Sequence, residues 1–171
     1  MIVLETERLV LRWVTADDAP FILRLVNEPS FIANIGDRGV RTLDDARGYI
    51  ARGVVASYQQ HGYGLNRVEL RAGGVPIGVS GLVKRPFLPE PDIGFAFLPE
   101  YWSQGYALEA ARAVMAHGRG QLGIGRIIAI VSAGNEPSKR LLRKLGLEFD
   151  RVMDLPPPGG QVDLFLPAGN A

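Results

Sequence analysis

Cysteine is absent from this chain. Its absence removes disulfides, thiolate metal sites and cysteine nucleophiles together, and it fits a reducing compartment. Histidine is scarce. His61 and His117 are the only two, they lie far apart, and neither has a neighbour at metal-ligand spacing, so no metal is expected. The opening MIVLETERLVLR has acids and arginines but no long apolar run. It reads as neither a signal peptide nor a membrane span, and the expectation is a cytoplasmic protein without membrane association. An excess of one charge is missing too: 19 basic and 18 acidic side chains leave a net charge of +1. Such a balance offers no electrostatic case for nucleic acid as a partner. No Walker lysine and no GxGxxG occur, so nucleoside triphosphate and dinucleotide folds lack support.

What is present is ordinary globular usage, 47% hydrophobic and 22% charged. A length of 171 residues favours one domain over 1–171. A domain of that size buries roughly 70% of its unfolded surface. Arg8 to Val14 alternates with Leu9, Leu11 and Trp13 on one side, which predicts a first strand. Thr15 with Asp18 is a capping signal for a helix that Pro29 closes, and FIANIGDRGVR reads as a loop. Thr42 with Asp45 starts a helix to about Gln60, with Gly62 as its stop. Leu65–Arg71 and Val75–Val83 form a hairpin through Gly73-Gly74, and Asp92–Leu98 is a short strand. A helix spans about Gln104 to Arg119, a covered strand Ile127–Val131, and a helix begins near Pro137 and stops at Gly146. Glu148–Leu155 and Val162–Leu166 are late strands around PPPGG. This order describes one mixed α/β layer fold.

The segment DIGFAFLPEYWSQGYALEAARAVMAHG carries the most chemistry. A strand ends at Leu98, a turn holds Gly105, and a helix follows at once. Such a helix presents unpaired N–H groups and a positive dipole end to whatever lies in front. Neither Gly105 nor Ala107 has bulk to block an approach, so the turn describes an anion cradle for phosphate or pyrophosphate. Plain backbone geometry is the competing reading of a glycine at a strand–helix turn.

LETERLVLR, IGFAFLPEYWSQGYALEA and NEPSKRLLRKLGLEF together resemble the GNAT acetyltransferase superfamily, in register from Leu4 to about Phe149. Within it they look most like the branch of ribosomal-protein alanine N-acetyltransferases. The resemblance implies a mixed, mostly antiparallel central sheet, about four flanking helices, and two splayed parallel strands that hold acetyl-coenzyme A. It also implies that backbone N–H groups of Ser103, Gln104, Gly105, Tyr106 and Ala107 bind the pyrophosphate. Trp102 stands where the superfamily's loop has Arg or Gln, a substitution usual in this branch. The pantetheine arm would pair with strand backbone around Phe97 and Leu98, one N–H there serving as oxyanion donor. Phe95 and Phe97 are equally suited to core packing.

Asn135 and Ser138 match the branch pattern of Asn, two residues, Ser. Asn135 resembles a pantetheine-binding amide, and it also suits a helix N-cap. Leu142 occupies the position where the wider superfamily often carries a thiolate-protonating tyrosine. Leucine donates no proton, so Ser138 inherits the role by resemblance, against the alternative of a first-turn serine bonding backbone. Asp92 stands where the branch often has an acid and is the candidate general base, with Glu90 and Glu109 in reserve. Direct transfer needs no covalent nucleophile, which suits a chain without cysteine. The expected acceptor is a primary amine, first a protein or peptide N-terminus. A small amine such as a polyamine, aminoglycoside or amino acid is the alternative, and a non-catalytic acetyl-coenzyme A module a further one. Acceptor residues are expected from Phe31–Arg41, the second helix and Lys84–Pro91, on a monomer or homodimer.

Overall fold

Two capping boxes and one glycine hairpin set the frame. The structure, a computed structural model, describes residues 1–169. Strand β1 (Ile2–Glu5) pairs antiparallel with β2 (Leu9–Trp13), and a turn closes them through Thr6 N–H to Leu9 carbonyl at 2.9 Å. The expected strand at 8–14 is β2; β1 is an addition to that expectation. β3 (Leu65–Leu70) and β4 (Pro76–Val83) form the hairpin, and β5 (Asp92–Phe97) follows. These five strands form an antiparallel ladder in chain order.

A second antiparallel ladder has the order β6–β8–β7, from β6 (Ala129–Val131), β7 (Leu147–Leu155) and β8 (Gly160–Pro167). One parallel bridge, Asp92 to Ile128, joins the ladders. It is closed by Ile93 N–H to Ile128 carbonyl at 2.9 Å and Ile128 N–H to Pro91 carbonyl at 3.0 Å. Beyond that bridge β5 and β6 part, and a gap opens between two parallel strands of one mixed sheet. The split shortens β6: Ile127 and Ile128, expected within it, sit at the junction.

At Thr15 the capping box leads into a short 3₁₀ turn and then α1 (Ala19–Val26), with Pro20 in the first turn, where its missing N–H costs nothing. α1 stops short of Pro29, as expected, but this proline does more than close a helix. It opens α2 (Pro29–Asn34), so the first part of the expected loop is helical, with Phe31 buried. The reason is proline's double role as a stop for one helix and a favoured first residue of the next. Thr42 and Asp45 cap α3 (Leu43–Tyr49), which continues through a π-type stretch, Ile50–Val55, into α4 (Ala56–His61); Gly62 ends it at φ 78°. The remaining helices are α5 (Tyr106–Gly120) and α6 (Glu136–Lys144).

The sheet separates two cores. Ile93 and Phe97 of β5 pack with Leu9, Leu11, Val68 and the Ala110–Met115 face of α5, and Phe95 packs against the same cluster. Ala96 and Leu98 face the other way, toward Ile22 and Leu25 of α1, Ala46 of α3 and Ile50. Period-two alternation puts Asp92 on this second face. The α1 entry is fixed to the sheet by Asp18, buried at 2% exposure. It accepts from Arg12 at 2.9 and 3.1 Å, Arg67 at 2.6 Å and Thr15 N–H at 2.9 Å. Burial alone pushes its carboxyl up, but these donors outweigh burial and hold it below the ordinary aspartate value.

Candidate active site

Three pieces of the fold converge where β5 ends: the turn before α5, the edge of β5 facing the gap, and the start of α6. The turn runs from a 3₁₀ segment at Pro99–Tyr101 to Gly105, the N-cap of α5, at φ 81°. Ser103 has φ 60°, the one non-glycine residue among those described in the left-handed region. Backbone strain of this kind concentrates at ligand clamps and switches. The first helical bond of α5 is Glu109 N–H to Gly105 carbonyl at 3.0 Å. Consequently the N–H groups of Tyr106, Ala107 and Leu108 have no partner within the helix, and the macrodipole adds positive potential in front of them. Ser103, Gln104 and Gly105 are exposed and Ala107 half-buried, so the concave face of the turn is open.

A clamp from the other end of the chain holds this turn. Arg8 donates through Nε to Glu109 Oε2 at 2.7 Å and through Nη1 to the Gln104 carbonyl at 2.9 Å. Its guanidinium lies 4.4 Å from the Tyr106 ring centroid. Glu109 Oε1 accepts from Thr6 Oγ1 at 2.6 Å and Arg8 N–H at 3.0 Å. Burial raises the Glu109 carboxyl, but the Thr6 and Arg8 hydrogen bonds more than offset it and hold the group below the ordinary glutamate value. A carboxylate so occupied fixes the turn. It is not a free base.

Trp102 is the second fixture. Its indole N–H donates to the Phe97 carbonyl at 2.9 Å, while the ring is 49% exposed. The side of each β5 peptide follows from its bonds. Ile93 N–H points toward β6, and Leu98 N–H points the other way, to the Ile77 carbonyl at 2.9 Å. By alternation the Phe95 and Phe97 N–H groups face the gap. Of the two residues expected to pair with a pantetheine arm, then, Phe97 offers its N–H and Leu98 has spent its own. Their side chains are core residues, 7% and 1% exposed, as the packing reading of this strand requires.

On the far side of the gap, Asn135 caps α6 by accepting from Ser138 N–H at 3.3 Å. Ser138 is half-buried, and Leu142, one turn on, is closed in the main core. The α6 start is anchored by Lys139, whose ammonium pairs with Asp163 of β8 at 2.8 Å and donates to the Ala133 carbonyl.

Asp92 sits at the vertex where β5 and β6 meet. It is 1% exposed and accepts from Arg85 Nε at 2.9 Å. Burial raises its carboxyl above the ordinary aspartate value, with Arg85 opposing only part of the shift. Glu90 lies outside, paired with Arg126 at 3.3 Å. Among the described residues no cluster of His, Asp or Glu suits a metal, and no helix is long and apolar enough to cross a membrane.

The Gly105 turn and the Asn135 cap are readable from local motifs, whereas Ser138 and Asp92 are singled out only by the family resemblance. The Arg8–Glu109 clamp is readable in neither way, because its partners are separated by 101 positions and each is an unremarkable surface charge by itself.

Comparisons with known proteins agree on the fold and the family. A family model described as an acetyltransferase (GNAT) domain matches residues 8–148. YoaA of Bacillus subtilis (strain 168), an uncharacterized N-acetyltransferase, is 30% identical over 153 residues, covering 88% of this chain and 85% of YoaA. Among solved structures, an acetyltransferase from Agrobacterium tumefaciens str. C58 superposes with a TM-score of 0.79 at 26% identity, covering 96% of this chain and 94% of its own. RimL, a ribosomal L7/L12 alpha-N-protein acetyltransferase in complex with coenzyme A, reaches a TM-score of 0.82 at 18% identity, with 97% of each chain covered, a likeness of fold. Domain, relatives and fold point to one conclusion: the chain belongs to the GNAT family of acetyltransferases and is an acyltransferase.

Proposed function

We propose that this chain moves an acetyl group from acetyl-coenzyme A to a primary amine by direct attack in a ternary complex, with a protein or peptide N-terminus as acceptor. The observation that carries the proposal is the meeting of the open anion cradle at Ser103–Ala107 with the unpaired β5 edge at the mouth of the gap. The cradle N–H groups take the pyrophosphate. The Phe97 N–H takes a pantetheine carbonyl, and the Phe95 N–H, further into the gap, suits the thioester oxygen as charge develops on it. Leu98 contributes packing beneath the arm, since its N–H is already bonded. Asn135 offers the amide N–H₂ group left over from its cap. RimL, a protein of similar fold in complex with coenzyme A, supports coenzyme A as the ligand class.

In the transfer the amine nitrogen attacks the thioester carbon and the C–S bond breaks. The amine proton leaves toward Asp92, relayed by water to the face of β5 that this residue shares with Ala96. The Ser138 hydroxyl gives its proton to the departing thiolate and regains one from solvent. Positioning alone contributes on the order of 7–11 kcal/mol in ideal intramolecular cases.

The acceptor reading rests on charge. Polyamines and aminoglycosides favour a cleft dense in acids. Here Glu28 lies 3.6 Å from Arg24, Asp44 pairs with Arg47 at 2.7 Å, and Asp45 accepts the Arg41 and Thr42 N–H groups. Their charges are engaged locally rather than gathered for a polycation. The test is a one-tube competition with acetyl-coenzyme A, short peptides of free N-terminus, spermidine and an aminoglycoside, read by product mass. Acetylated peptide termini are expected. Preferential acetylation of a polycation overturns the acceptor, and coenzyme A binding without any product overturns the enzyme reading in favour of a binding module.

A further inference from the structure

A cavity of about 310 Å³ lies between the loop after α2 and the α3–π stretch, lined among others by Arg38, Asp45, Tyr49 and Arg52. Several polar groups around it are held by local bonds. Arg41 pairs with Asp37 at 2.6 Å and donates to Asn27 Oδ1 at 3.0 Å. Asp45 takes its two backbone N–H groups, at 2.9 and 3.1 Å, through one oxygen, as the cap of α3. Arg38 and Arg52 are different: among the described residues neither has a carboxylate within 4.0 Å. Both are exposed, so keeping them together in one cavity serves no internal ion pair.

Position ties the cavity to the site. The Ser132 hydroxyl, just past β6 and three residues before Asn135, donates to the Asn34 carbonyl at the end of α2. The loop bearing Arg38 leaves from that point and is fastened at its far end by Asn27 Nδ2 to the Val40 carbonyl at 2.9 Å. Val40, Ile50 and Val54 belong to the same core as Ala96 and Leu98, the face of β5 shared with Asp92. Arg52 sits in the π-type stretch Ile50–Val55, a rare distortion that is frequent at functional sites. Its guanidinium folds back over Gly48, where an added Cβ would stand 2.7 Å from Nη1 and 3.0 Å from Nη2. The missing side chain at Gly48 is what leaves room for the head group to lie at the cavity.

We infer that Arg38 and Arg52 form a subsite for a carboxylate carried by the acceptor close to its reacting amine. The inference rests on the proposed amine acetylation and sharpens it: the favoured acceptor is an amine with an acidic group nearby. Guanidinium forks match carboxylate geometry. The carboxylate has two sources, an acidic side chain early in a peptide or the carboxylate of a free amino acid.

The experiment compares peptides with free N-termini that carry Glu or Gln at the second and third positions, with free glutamate as a separate arm. Wild type, Arg38→Gln, Arg52→Gln and Gly48→Ala are assayed for KM and kcat. Binding of the same acceptors to the coenzyme A-loaded protein is measured by calorimetry. Wild type is expected to show about a tenfold lower KM for the acidic peptide, shrinking at high salt. Each arginine variant should remove most of that preference, raising KM for the acidic peptide far more than for the neutral one. Gly48→Ala keeps the charge and favours helix, so it folds, yet it displaces Arg52 and should lose part of the preference. Tighter use of free glutamate than of the acidic peptide assigns the carboxylate to amino acids. Equal KM for acidic and neutral acceptors in wild type, or a preference surviving both arginine variants, overturns the subsite. Should no amine be acetylated, the proposed function fails, and the calorimetric comparison alone decides the subsite.

Discussion

Placing a carboxylate in the cradle separates backbone strain from ligand loss, provided the strain is matched elsewhere. Gly105 has φ 81°, and Gly123, in the loop after α5, has φ 65°. Any L-residue at either position pays the left-handed penalty, roughly 1–2 kcal/mol. For a domain of this size each kcal/mol lowers Tm by roughly 2–4 °C, so both Gly105→Glu and Gly123→Glu should melt about 2–8 °C below wild type. Only one of them touches the cradle. A Cβ at Gly105 stands 3.2 Å from Arg8 Nη2, whereas at Gly123 nothing lies within 4 Å. Coenzyme A at about a hundred times its Kd stabilises the wild type by about 2.7 kcal/mol. Multiplying by 2–4 °C per kcal/mol gives a Tm rise of about 5–11 °C. Thermal melts with and without coenzyme A should show that rise in wild type and in Gly123→Glu. In Gly105→Glu a negative group faces the pyrophosphate and the rise should vanish. An undiminished rise in Gly105→Glu refutes the cradle, and loss of the rise in Gly123→Glu refutes the matched-strain argument.

Ser138→Ala should lower kcat by on the order of a hundredfold with coenzyme A affinity unchanged, and turnover within threefold of wild type would leave the serine a helix residue only. Asp92 must be ionised to accept a proton and its carboxyl is raised by burial, so the rate should climb with pH through a value above the ordinary 3.8; Asp92→Asn should remove that limb along with about a hundredfold of rate, and a variant that keeps the limb disproves the base. Glu109 has its folded pKa lowered, so its contribution to stability is present above the unfolded value near 4.5 and is lost as pH falls through the folded one. Acid melts of Glu109→Gln should accordingly be flatter below pH 4.5 than those of wild type, and parallel curves would show that the clamp contributes nothing.

Local rules were legible at the right places. Both Thr–Asp boxes cap helices, Gly73-Gly74 turns a hairpin, and Gly62 and Gly146 stop helices at φ 78° and 85°. Each depends on a few neighbouring residues, which is the range a linear reading reaches. The strand–turn–helix around Gly105 and the N-cap at Asn135 are of this kind too. The failures share another cause. β1 is four residues with no period of its own, and it exists because β2 offers it an edge. α2 is six residues that gain their reason from burying Phe31, and the π-type stretch leaves no mark in the apolar spacing around it. The Arg8–Glu109 clamp, the Asp18 network and the Lys139–Asp163 pair depend on approaches made by the whole chain. Nothing in the residues beside each partner announces the other.

The hydrogen bond from the Trp102 indole to the Phe97 carbonyl has a consequence for how the empty protein survives. An interior strand with one side unpaired is a template on which a stray polypeptide could add itself. Such addition needs donors and acceptors in alternation along the whole edge. Trp102 removes the outermost acceptor, and the bridge at Asp92–Ile128 closes the innermost end. What remains between those two points is a short stretch of edge. The same indole thus occupies the outermost acceptor of an edge that another strand would need in full.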